Sequence, residues 1–85
     1  MKLAELEVIL DKELKIWESK IAKYCVCFDS VEISDGHFLI SASGHGDTKR
    51  KAKKDYAEQL AGKTIVVNAY TLHRREFTIP LTLVG

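Results

Sequence analysis

Leu3, Leu6, Leu10, Leu14, Trp17, Ile21 and Tyr24 follow one another at steps of three or four, the spacing of one face of a long amphipathic helix. Ile9 and Ile16 widen that face. A helix over this stretch runs about six turns, on the order of 30 Å, and either covers a sheet or packs on a second copy of itself. Trp17 lies on the apolar face, where it reads as a core anchor. From Tyr24 the period changes to two. Cys25, Cys27, Val31 and Ile33 fall on one face and Tyr24, Val26 and Phe28 on the other, with Asp29-Ser30 interrupting the run as a bulge. Asp35-Gly36 is a hairpin signal, because the central positions of such a turn need positive φ. Folding back there sets Ile33 opposite Phe38, Val31 opposite Ile40 and Asp29 opposite Ala42.

Gly44-His45-Gly46-Asp47-Thr48 reads as a turn leading into a second helix that Asp47 or Thr48 caps and Gly62 closes. Ala52, Tyr56 and Leu60, with Ala57 and Ala61 beside them, make its apolar stripe. Lys63 to Tyr70 and Arg75 to Ile79 are β-branched and strand-like, and an odd-length loop between them pairs Val67 with Phe77 and Ile65 with Ile79. Pro80 marks an edge or a strand end, and Leu81 to Val84 form an apolar tail. The order is α-β-β-α-β-β, two antiparallel hairpins packed on two helices. This predicts one α+β domain over residues 1–85.

Composition narrows the function. With 46% hydrophobic and 29% charged residues the chain is an ordinary folded domain, and a net charge of +1 means that affinity for a polyanion has to come from a local cluster. Such a cluster exists. Lys49, Arg50, Lys51, Lys53 and Lys54 crowd the start of the second helix, where the helix dipole favours acids. Free amides, dipole and cations together suit a phosphate; alternatively the run is a solvated face, partly neutralised by Lys51 to Asp55 and Lys54 to Glu58. His45 between two glycines adds a hydrogen-bonding group, and His73, Arg74 and Arg75 offer a second basic edge. The candidate anion-binding residues are therefore Lys49, Arg50, Lys53, Lys54, His45, Arg74 and Arg75. Cys25 and Cys27 read as inert thiols, no paired ligand spacing marks a metal site, and no nucleophile, base and orienter stand at a recognisable spacing. The expectation is a non-enzymatic protein without cofactor. Acidic residues interrupt the first residues and no apolar run reaches a membrane span, which predicts a cytoplasmic protein.

Ala42 to Lys53 resembles the strand-to-helix junction of double-stranded RNA-binding domains, where a Gly-x-Gly-x-Ser/Thr-Lys-Lys-x-Ala-Lys pattern opens the last helix. The resemblance implies a dsRBD-like fold and assigns Lys49, Arg50 and Lys53 to phosphates across a duplex RNA groove. Ser34-Asp35-Gly36-His37 stands in the place of that family's minor-groove loop, without its Gly-Pro-x-His pattern. Gly44 through Pro80 is also similar to small uncharacterised proteins of tailed bacteriophages. Two functions follow as expectations. One is a small module that binds nucleic acid at the helix start. The other is a phage-type interaction or inhibitor protein, its basic cluster meeting an acidic protein surface, which docks on a host protein or self-associates through the first helix or a sheet edge.

Overall fold

Lys2 is held in extended backbone and its amide donates to Glu5 Oε1 at 3.2 Å, which starts helix α1 (Leu3–Leu10) in the computed structural model, described over residues 1–85. Leu3, Leu6 and Leu10 turn into the core. Asp11 ends the helix in the left-handed region at φ 52°, a conformation that Asp tolerates better than bulkier residues, and the amides of Asp11 and Lys12 close on the carbonyls of Val8 and Glu7. The long first helix expected from the spacing thus stops after eight residues. The next element is strand β1 (Lys15–Glu18), folded back on β2 (Tyr24–Cys27) with Trp17 opposite Cys25. Ile16 and Trp17 are β-branched and aromatic, and they suit a strand better than their spacing suggested. Only Leu14 of the later periodic residues is buried; Trp17 is 44% exposed, so it is not a core anchor, and Ile21 stands in solvent.

Beyond β2 the chain leaves one sheet for another. Ser30, at φ 54°, makes the corner into β3 (Val31–Asp35), so Asp29-Ser30 is a sheet switch rather than a bulge. Cys25 and Cys27 therefore do not share a face with Val31 and Ile33. A two-residue turn joins β3 to β4 (Phe38–Ser41), pairing Asp35 with Phe38 and Ile33 with Ile40. Its central residues are Gly36, at φ 62°, and His37, one place later than the Asp35-Gly36 reading. Moving the turn by one shifts each partner by two, so the faces are preserved although the pairs differ.

Gly44–Gly46 forms a short strand, β5, paired with β2, before helix α2 (Lys49–Leu60). Thr48 caps that helix by accepting from the Lys51 amide at 3.1 Å, and Gly62 closes it at φ 73°. β6 (Thr64–Val67) and β7 (Arg75–Thr78) then pair Ile65 with Phe77 and Val67 with Arg75, across an odd loop from Asn68 to Arg74. The parity matches the expected one, while the register differs by two. Pro80 lies past the end of β7, and its carbonyl accepts from the Gly62 amide at 2.9 Å.

The class is α+β: two helices and two antiparallel sheets, ordered β1-β2-β5 and β4-β3-β6-β7. Five strands precede α2 and two follow it, in place of the α-β-β-α-β-β order. The sheets share one core. Leu3, Leu6 and Leu10 of α1, Val26 and Phe28, Ala52, Tyr56 and Leu60 of α2, and Val31, Ile65 and Val67 meet in it, and Leu83 of the tail joins them.

At the corner the Phe28 amide donates to the Tyr56 hydroxyl oxygen at 3.1 Å. Burial pushes that hydroxyl up from 10.0 to about 12, the Phe28 amide pulls the other way, and Cys27 adds to the rise. The unfolded chain gives up this proton near pH 10 while the native one keeps it, so this contribution is whole below pH 10 and is lost as pH rises to about 12. Urea unfolding followed across that window should show stability falling by about 2 to 3 kcal/mol. In Tyr56→Phe the part of that fall due to Tyr56 should be absent, leaving only what the raised Cys27 thiol contributes, and stability at neutral pH should already be lower by about 1 to 3 kcal/mol because the Phe28 amide loses its partner.

Candidate functional site

The start of α2 is positioned by close contact with β5. A Cβ on Gly44 would lie 2.2 Å from the Ala52 carbonyl oxygen, and one on Gly46 would lie 2.6 Å from the Ala52 amide nitrogen. Backbone packs directly on backbone here. The outer edge of β5, which no strand covers, is satisfied by two side chains of α2. The His45 amide donates to Asp55 Oδ2 at 2.9 Å, and Gln59 Nε2 donates to the Ser43 carbonyl at 2.7 Å and to Asp55 Oδ2 at 3.1 Å. Asp55 is thus engaged with the strand, and the Lys51–Asp55 pair expected from their spacing does not form.

Around that start the cations spread in several directions. Lys49 Nζ lies 6.0 Å over the Tyr24 ring, on a cavity of about 290 Å³ that Trp17 also lines. Arg50 and Lys53 border a second cavity of about 440 Å³ with Lys2 and Glu7. Arg50 and Lys54 border a third beside Glu58 and Gly85. Lys51 alone has an acidic partner, Asp47 at 3.8 Å; the spacing of Lys54 and Glu58 gives no ion pair. The amides of Lys49 and Arg50 make no hydrogen bond within the chain.

Three other candidates do not join them. His45 is held at both ring nitrogens, with Nδ1 3.0 Å from Cys25 Sγ and Nε2 3.2 Å from Ser43 Oγ, so its imidazole is occupied within the chain. Arg75 donates to the Leu10 carbonyl at 2.8 Å and caps α1, while Arg74 pairs with Glu76 at 3.3 Å. Both arginines line a cavity with Asp11 and His73 that shares no residue with those around α2. The second basic edge is therefore separate from the helix start and largely committed to structure.

The Cys25–His45–Ser43 chain was not visible in the sequence. Finding it required Gly44–Gly46 to be read as a strand that pairs Cys25 with His45. Cys25 is 3% exposed, so the contact holds the imidazole rather than presenting a nucleophile. Burial pushes the Cys27 thiol up, with Asp29 and Cys25 adding in the same direction. No cluster of three or more His, Cys, Asp or Glu side chains is placed to hold a metal ion. No helix is long and apolar enough to cross a membrane. Comparison with family models, curated proteins and solved structures found no match.

The contact between β5 and α2 makes a ranked prediction. Gly44→Ala should lower unfolding stability in urea by about 2 to 3 kcal/mol, since neither backbone can yield easily. Asp55→Ala, which strands the His45 amide at a partly exposed edge, should cost about 1 to 2 kcal/mol.

Proposed function

We propose that this protein is a small non-enzymatic module that binds the phosphates of a nucleic acid at the start of α2, through Lys49, Arg50 and Lys53 with Lys54 beside them. One observation carries the reading: none of these four cations has a carboxylate within ion-pair reach. Glu58, the acid whose spacing offered it to Lys54, forms no ion pair, and Asp55, offered to Lys51, is bound to β5 instead. Uncompensated cations on a helix N-terminus cost a few tenths of a kcal/mol each. A bound phosphate would reverse that sign, and the free amides of Lys49 and Arg50 would add donors to it.

Contacts of this kind position a protein on a backbone without reading sequence, so binding should be weakly selective. Duplex RNA is the form that the likeness to double-stranded RNA-binding domains implies. Labelled duplex RNA, duplex DNA and single strands titrated at two salt concentrations should bind with affinities on the order of micromolar at low salt, with a log–log salt slope of about −2 to −3 for three phosphate contacts. Replacing Lys49, Arg50 and Lys53 together by Gln should weaken binding at least about tenfold, with an unchanged circular dichroism spectrum. Absence of binding at low salt, or an unaltered affinity in the triple variant, would overturn the reading.

A further inference from the structure

The two sheets end in four strand edges, and three of them are guarded. β5 is covered by α2 and its Asp55 and Gln59 side chains. β7 carries Arg75 and Glu76 and runs into Pro80, and β1 has a charge at each end, Lys15 and Glu18. Charges and proline on an edge discourage pairing with another chain. β4 has neither. Its four residues are Phe38-Leu39-Ile40-Ser41, with Phe38 72% and Ile40 45% exposed.

The hairpin register determines which backbone groups of β4 are free. Asp35 and Phe38 flank a two-residue turn and so form a hydrogen-bonded pair, as do Ile33 and Ile40 two places on. The amides and carbonyls of Phe38 and Ile40 therefore face β3, and those of Leu39 and Ser41 point outward with no strand to meet them.

We propose that β4 pairs antiparallel with the β4 of a second copy, joining two four-stranded sheets into one of eight. A two-fold axis through Ile40 brings Leu39 opposite Ser41 of the second copy, so that the outward groups of both satisfy each other. Ile40 meets its own counterpart on the axis, and Phe38 lies opposite the small Ala42. The apolar row Phe77, Ile65, Ile33 and Ile40 then continues through the axis into its own repeat. One position further out, His37 meets Ser43, and no like charges are opposed. That match selects the occupant. A charged peptide would find no counter-charge on β4, whereas the uncharged strand that fits this register is the one the protein itself presents. None of the α2 cations lies on β4, so the pairing stands or falls separately from the phosphate reading.

The contact is short, which sets a modest affinity, with a dissociation constant on the order of 10 to 100 µM. Sedimentation velocity on the full chain, from a few micromolar to well above that range, should show a shift from monomer to dimer. Ser41→Pro removes an outward amide that no intramolecular bond uses, and should weaken dimerisation at least about tenfold with the monomer fold retained. Ile40→Lys places like charges on the axis at a half-exposed site and should do the same, which covers the case of a Ser41→Pro chain that fails to fold. A wild-type protein that stays monomeric throughout, or a dimer that persists in a folded Ile40→Lys chain, would overturn the proposal.

Discussion

The architecture depends on the approach of one strand backbone to one helix backbone. At Gly44 a single added carbon would lie 2.2 Å from the Ala52 carbonyl oxygen, so the separation of β5 and α2 is set by the absence of a side chain. Several features depend on that distance. Asp55 and Gln59 can reach the open side of β5 and take the place of a neighbouring strand. Held there, β5 presents His45 to Cys25 across the sheet. The helix turns Ala52 and Tyr56 inward and leaves its cations outside. The glycines that read in the sequence as part of a turn thus have a clearance role. The anion reading rests instead on the lysines and arginine that come after them.

Charge divides along similar lines. Arg74 and Arg75 look as available in the sequence as Lys49 and Arg50, yet one is paired with Glu76 and the other closes the open carbonyl at the end of α1. A guanidinium near a helix C-terminus is where the helix dipole favours it. The α2 cations sit at the opposite end of their helix and gain nothing from its dipole. Cationic residues of equal formal charge therefore differ in how far that charge is met within the chain.

Much of this was legible in the chain, where a local rule decided the outcome. The α2 stripe, the Thr48 cap and the Gly62 terminus depend on neighbours a few residues away, and they form as the sequence indicates. The faces of both hairpins of the larger sheet follow from parity alone, even though their registers move by two. The first helix failed because Leu14, Trp17 and Ile21 continued its spacing by coincidence across a turn that Asp11 makes without glycine. β5 was read as a loop because three residues with two glycines have little strand propensity of their own; pairing with β2 and packing on α2 are what make them a strand. The split into two sheets lay beyond local rules altogether, since it turns on one residue, Ser30, adopting a positive φ.

That corner also couples the parts of the molecule. β2 belongs to one sheet and β3 to the other, and only Phe28, Asp29 and Ser30 separate them. The Phe28 amide lies just before the bend, is buried, and is bonded not to a strand but to a tyrosine on α2. Fraying of either sheet edge leaves that bond in place. The hydrogen on this nitrogen is held by a bond between the corner and α2, so its exchange with deuterium would time the parting of helix and corner through one atom.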